Sequence, residues 1–220
     1  MSLAVDRFAY LADFLRPVAV TTPLFRVGAF GDGGYLVPND LDGVAACYSP
    51  GVSRQSSFEL DLAKHAIPSF LADASVKGPA IDIPGSHFLP SFVGAQNMAD
   101  TVTLASWVAQ TDPHPGADLF LQMDIEGGEY VALAAAPDAL LERFRVIVLE
   151  LHRLPSVLTK QPFFDRAKAV IDRLTPRFET VHLHTNNAAG AADLGGVDIP
   201  RVVEVTLLRK DRARVTGPVR

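Results

Sequence analysis

Residues 123–130, MDIEGGEY, place three carboxylates, Asp124, Glu126 and Glu129, around two glycines at the end of an apolar run. One acid in the first turn of a helix meets unpaired N–H groups and the positive end of the dipole, and Glu129 suits that place. Asp124 and Glu126 exceed that need. At a strand exit they can hold a ligand's ammonium group or take a proton from a hydroxyl. Residues 150–152 read Glu-Leu-His, and alternation puts Glu150 and His152 on one side of an extended chain. A histidine there can act as a general base near neutral pH, or can simply be hydrogen bonded. His182 and His184 share a strand face, followed by Asn186 and Asn187. A His-x-His pair near carboxylates raises a metal site, but no ligand spacing accompanies it and no metal is assigned. Upstream, the segment SPGVSRQSSFE (residues 49–59) has one glycine, Gly51, that permits close backbone approach. Asp73 follows about twenty residues later, the distance at which a strand-end acid accepts hydrogen bonds from a ribose diol. A turn glycine and a helix-capping aspartate would produce the same spacing.

These residues need elements to position them. Phe8, Leu11 and Leu15 repeat at helical spacing before Pro17, predicting a short amphipathic helix over the core. RVGAFGDGGYLVPN, residues 26–39, carries four glycines between two extended pieces and reads as a shaped loop. Strands are expected at residues 44–48, 69–72, 88–93, 118–123 and 145–151. Helices are expected at residues 56–64, 103–109 and 128–136, and a further one behind Pro162. This alternation predicts an α/β fold with a mostly parallel sheet and helices on both faces. Residues 180–185 and 202–209 are two more strands with only a polar, glycine-rich stretch between them, so they should pair antiparallel as a terminal hairpin.

Composition narrows the class. The 220 residues fit a single globular domain, and 48% are apolar, enough for a large core. A net charge of −5 with no basic run argues against nucleic acid as a partner. The one cysteine, Cys47, lies in an apolar segment and suggests a reducing compartment. Asp6, Arg7, Asp13 and Arg16 interrupt the hydrophobic start, so neither a signal peptide nor a membrane span is expected. A cytoplasmic protein is the resulting expectation. The N-terminal helix is either a lid on its own domain or the surface of a homodimer.

DLFLQMDIEGGEYVAL, followed by RVIVLELH, resembles the central signature of the FkbM-like S-adenosylmethionine-dependent methyltransferases: a strand ending in Asp-x-Glu-Gly before a helix, then a strand ending in Glu-x-His. RVGAFGDGGYLVP, SPGVSRQSSFELDLA and HLHTNN with VVEVTLLRK are similar to other blocks of the group, so the resemblance spans about residues 26–209. It implies a Rossmann-like class I methyltransferase fold over residues 41–212, with residues 1–40 as helix and glycine-rich cover. It further implies S-adenosyl-L-methionine as cofactor and a small hydroxylated acceptor, such as a sugar or another natural product. By position, Ser49, Gly51 and Val52 would form the first cofactor loop, and Asp73 would hold the ribose. Asp124 and Glu126 would border the methionine portion and the acceptor. Asp32 and Tyr35 would be contacts from a segment closing over the cofactor. Ser53 stands where the group usually has another glycine, and its hydroxyl can still donate a hydrogen bond. The chemistry asks mainly for alignment and a base. His152 is the first choice for the base and His184 the second, with Asp124 as an orienting partner.

Two other readings stay open. A nicotinamide-dependent oxidoreductase would also use a glycine loop and a strand-end acid, although SPGVSRQ offers one glycine where a dinucleotide's phosphates ask for more. A nucleoside-binding module could keep the fold without catalysis. Phe92, Trp107 and residues 186–196 are candidates for an acceptor pocket, or else are core.

Overall fold

The computed structural model describes residues 3–31, 33–52 and 56–219. Asp32 and Ser53 lie outside the described residues. Seven strands form the main sheet: β1 (Val44–Pro50), β2 (Ser69–Ala72), β3 (His87–Leu89), β4 (Asp118–Met123), β5 (Phe144–His152), β6 (Phe178–Thr185) and β7 (Val202–Arg209). Their order is β3-β2-β1-β4-β5-β7-β6. Neighbours from β3 through β5 are parallel. Only β7 runs the other way, inserted antiparallel between β5 and β6. The expected hairpin therefore forms, because a connection without a helix cannot return the chain for parallel pairing. The order reverses at β1, whose successors lie on one side and β4 on the other, and this opens a crevice at the carboxyl ends of β1 and β4.

Strand alternation sorts the core into two layers. Leu119, Leu121, Ile147, Leu149, Val205 and Leu207 face one side, where they meet α1 (Leu3–Leu15), α3 (Leu104–Thr111), α4 (Glu129–Ala135), α6 (Leu154–Thr159) and α7 (Gln161–Leu174). Phe120, Val146, Val148 and Leu208 face the other, under α2 (Ser57–Lys64) and a hairpin of Leu24–Val27 with Tyr35–Pro38. The second face is thus covered by one helix and a β-hairpin, an unequal form of the expected helical cover. A short helix α5 (Asp138–Leu141) precedes β5.

The strand expected at residues 88–93 is a correction. It breaks into β3 and Phe92–Gly94, and the latter pairs with Thr101–Thr103 in a separate two-stranded sheet. Pro90, which has no N–H to donate to a ladder, sits at the break. Helix α2 has Ser56 at its N-cap, without a side-chain capping bond. Ser57 Oγ instead accepts the Ala29 N–H (3.0 Å), and Asp61 accepts the Gly28 N–H (2.8 Å), which moors the glycine loop to this helix. Within the loop, Arg26 donates to the carbonyls of Ala29 and Gly34.

The N-terminal helix docks on its own chain. Leu11 and Phe14 join the core, and Arg7 donates to the Leu158 carbonyl and to Gln161. Val18–Val20 then pairs antiparallel with Val215–Pro218. Cys47 is buried. No described helix is long and apolar enough to cross a membrane.

On the rim opposite the crevice, Asp118 accepts from Arg145 (2.8 Å) and Arg209 (2.7 Å), clasping the amino ends of β4 and β5 to the carboxyl end of β7. Burial alone would raise the Asp118 carboxyl, but the two guanidinium groups outweigh it and hold it below the usual carboxylate range. A lowered folded pKa gives stability that is present above the ordinary value of about 3.9 and lost as pH falls through the lowered one. Asp118→Asn should therefore cost about 2–3 kcal/mol at neutral pH, the scale of charge-assisted hydrogen bonds. The difference from the parent should shrink on acidification when thermal unfolding is followed by circular dichroism.

Candidate functional site

Gly51 terminates β1 with φ +94°, and a Cβ there would lie 1.6 Å from the Asp124 carbonyl oxygen. Only glycine allows the two backbones to touch. Gly51 N–H donates to the Ala72 carbonyl (3.0 Å) and Asp124 N–H to the Pro50 carbonyl (3.3 Å), so the exits of β2, β1 and β4 are tied in a row. Asp73, one residue beyond β2, accepts the Val52 N–H (3.0 Å) on Oδ2 and the Ser75 N–H (2.7 Å) on Oδ1. It is therefore beside the Gly51 loop, part-exposed, with each oxygen keeping a lone pair for a ligand.

Ser49 is fully buried beneath this loop, and its hydroxyl lies 2.5 Å from Glu59 Oε1 and 2.6 Å from Gln122. The Gln122 amide also reaches Tyr35 Oη at 3.5 Å. Ser49 Oγ faces Gln122 Oε1, and Gln122 Nε2 donates to Tyr35 Oη. Burial pushes the Glu59 carboxyl up, with the Ser49 hydrogen bond opposing it. Ser49 and Tyr35 thus serve the crevice from below, Tyr35 edge-on to Phe58 and 5% exposed. A ligand over Gly51 would meet the backbone of Ser49 and not its hydroxyl.

At the tips of β4 and β5 the acids converge on one imidazole. His152 Nδ1 lies 3.1 Å from Glu129 Oε1 and from the Glu150 carbonyl, so its N–H donates there and leaves Nε2 facing the crevice. Nε2 lies 3.4 Å from Glu126, 3.5 Å from Glu150 and 3.8 Å from Asp124. Glu129 is fully buried, and its Oε1 also accepts the N–H groups of Ile125 and Gly127. It does meet N–H groups at the start of α4, as its helix position implied, but it orients His152 as well. Glu150 Oε1 accepts from Asn186 at 2.6 Å, and Tyr130 Oη donates to the His152 carbonyl at 3.0 Å. Glu126 (φ +57°) and Arg153 (φ +63°) are non-glycine residues in the left-handed region, one at each strand exit flanking the cluster. Backbone strain of this kind gathers at functional sites.

The crowding shifts the proton affinities of the cluster. Burial, then the charge of Glu150 and a hydrogen bond shared with it, push Asp124 up to about 8. Burial would lower His152, but the hydrogen bond and charge of Glu129 and the nearby Asp124 and Glu150 raise it to about 9.

His184 is elsewhere. It is exposed on β6, opposite Glu204 of β7, which in turn faces Glu150 of β5. With Arg26, Gly34, Asn186, Asn187 and Glu204 it lines a cavity of about 320 Å³. A second cavity of about 320 Å³ is lined by Glu126, His152, Arg153, Ser156 and Arg201. The two first choices for a base therefore stand in separate hollows on either side of β7. Trp107 is a core side chain against Tyr48, 2% exposed, while Phe92 is 44% exposed on its short strand.

The sequence profile described as the Methyltransferase FkbM domain matches residues 51–178, more than half of the chain. The chain belongs to the FkbM methyltransferase family. A comparison with curated proteins finds no match. The FkbM match takes in Gly51, Asp73, Asp124, Glu126, Glu129, Glu150 and His152, and leaves Ser49, Tyr35, His184 and the β7 strand outside it. Glu150 is the member of this FkbM cluster that the residue types alone left unassigned, although its alternation with His152 was the available signal.

Gly51→Ala should cost at least about 3 kcal/mol, because the added methyl overlaps backbone and the positive φ resists a side chain. Chemical denaturation measures this. The pKa values carry a second expectation. A raised His152 stabilises the fold below its ordinary value of about 6.5, and that is lost as pH rises through about 9. A raised Asp124 favours the folded state while protonated, and that is lost as pH rises through about 8. With a chelator present, the melting temperature should fall between pH 6.5 and 9, and Asp124→Asn should flatten the fall.

Proposed function

We propose that this FkbM-family chain transfers a methyl group from S-adenosyl-L-methionine to a hydroxyl of a small, hydroxylated acceptor, with a sugar as the leading class. The supporting observation is the row of strand exits in which Asp73, Gly51 and Asp124 stand side by side, next to a carboxylate cluster closed around His152. The strand order, with its antiparallel terminal hairpin, supports a Rossmann-like class I arrangement.

The residues fit the cofactor: glycine at position 51 lets the β1 exit meet the Asp124 backbone, and beside it Asp73 retains acceptor capacity. Bound there, the sulfonium supplies an activated methyl group. Asp73 would accept from the ribose hydroxyls while the Gly51 and Val52 backbone bounds the adenosyl portion. Asp124 and Glu126 would border the methionine portion, with Glu126 facing its ammonium group. The cavity of Glu126, His152, Arg153, Ser156 and Arg201 is lined with groups that suit hydroxyls. As the acceptor oxygen forms its new bond to carbon, its proton has to leave, and Nε2 of His152 faces it as the accepting atom once the imidazolium, raised to about 9, has given up its own proton. Alignment contributes more than proton removal, since the donor is already activated.

Calorimetric titration should show S-adenosylmethionine binding more tightly than NAD, and Asp73→Ala should weaken it about tenfold, the value of one charge-assisted hydrogen bond. Tighter binding of NAD would end this reading. A panel of hydroxylated acceptors should give methylated product by mass spectrometry, and His152→Ala should lower the rate about 10²-fold or more with little change in cofactor affinity. A folded, cofactor-binding chain that methylates none of the panel would favour the non-catalytic module.

A further inference from the structure

We propose that Asp124, Glu150 and His152 form a binding site for a divalent first-row cation, with Mn²⁺ as its representative. Each of the three offers one ligand atom, and these atoms all lie within 4.8 Å of one another. His152 Nε2 is 3.5 Å from Glu150 Oε2 and 3.8 Å from Asp124 Oδ1. Neighbouring ligands around an ion with bonds of ~2.1 Å stand ~3–3.5 Å apart, so small inward movements would close these two separations on a cation.

Three features independent of that spacing point to a ligand. Asp124 Oδ1 is shielded from solvent and, once Asp124 and Glu150 no longer share a proton, has no hydrogen-bond partner among the described residues. A buried carboxylate oxygen is costly to leave unpaired, and a cation is the partner that would satisfy it. Second, the outer contacts of the cluster are already taken. Asn186 holds Glu150 Oε1, and Glu129, itself fixed by the Ile125 and Gly127 N–H groups, holds His152 Nδ1. This is the carboxylate–imidazole support that metal-ligating histidines receive, and it leaves Nε2 and Oε2 free to turn inward. Third, among the described residues every ion pair of Asp124, Glu126, Glu129 and Glu150 goes to the same imidazole. Four carboxyl groups thus share one cationic partner, and a divalent ion would offset their crowding.

Two carboxylates with one imidazole suit Mn²⁺ or Fe²⁺ better than Mg²⁺, which prefers oxygen alone. Three protein ligands leave coordination positions open. On the methyl-transfer reading, from which this step follows, an acceptor hydroxyl occupies one of them. The O–H bond breaks, and the proton passes to Glu126, 88% exposed and 3.4 Å from His152, and on to water. The oxygen's electron pair forms the new bond to the methyl carbon as the carbon–sulfur bond breaks toward sulfur. His152 then holds the ion and not the proton. His182 and His184, to which the sequence assigned no metal, are not part of this set.

Chelator-treated protein titrated with MnCl₂, with free Mn²⁺ counted by electron paramagnetic resonance, should bind one ion per chain in the micromolar range. Glu150→Gln and Asp124→Asn should each weaken it at least tenfold, and Asp138→Asn, on the remote α5, should leave it within twofold. The metal-free melting temperature of Glu150→Gln should match or exceed the parent's, because one of two facing acids is removed, while the rise on adding Mn²⁺ disappears. That separates loss of the site from loss of the fold. Absence of binding to the folded parent at millimolar Mn²⁺, or one-site binding that persists in both variants, would overturn the site. Neither readout needs methyl transfer, so the site and the activity can fail separately. Transfer that Mn²⁺ inhibits would overturn the hydroxyl's place on the ion and return the proton to His152.

Discussion

Four acids and one imidazole share the tips of two adjacent strands, and the rest of the structure is arranged around the cost of keeping them there. Carboxylates drawn out of water and close together resist ionisation, so Asp124 and His152 both rise well above their ordinary values. The hydrogen bond from His152 to Glu129 keeps this arrangement from being mere repulsion. Glu129 is buried in the turn that starts α4, where two N–H groups stabilise its charge, and it carries that charge to His152. An isolated buried carboxylate would be far more costly than one supported in this way.

The scaffold makes the crowding possible by bringing strand ends together at a point where no helix intervenes. Because the sheet order reverses at β1, the exits of β1 and β4 lie side by side, and Gly51 lets them come into backbone contact. The same face of β4 and β5 that carries Phe120, Val146 and Val148 into the apolar layer continues through Gln122 and Glu150 into the polar cluster. A hydrophobic layer thus grades into a ligand crevice along a single strand face. Tyr35, Gln122, Ser49 and Glu59 occupy the boundary, each polar atom answered by the next.

Much of this architecture was legible before the structure. Strands β2, β4 and β7 lie where the apolar runs placed them, because their ends are marked by acids, glycine or charge that a sheet interior does not tolerate. The break after β3 was not, since an apolar run with Pro90 inside still looks continuous to a hydrophobicity pattern. The roles of Glu129 and Asn186 were illegible for another reason: they meet His152 and Glu150 across 23 and 36 residues. Ser49 reads as a loop residue facing a ligand, yet the pleat turns its hydroxyl into the interior.

By itself the sequence determined the family, the alternation of strands and helices, and the acids that leave the strands, because periodicity and local residue chemistry act over neighbouring positions. Only the tertiary structure decided that His152 and not His184 joins the carboxylates, that Glu129 orients it, and that Gly51 abuts Asp124. Those outcomes depend on strand order and register, which place β7 between the two histidines and β1 against β4, and no local pattern encodes a neighbour that far along the chain.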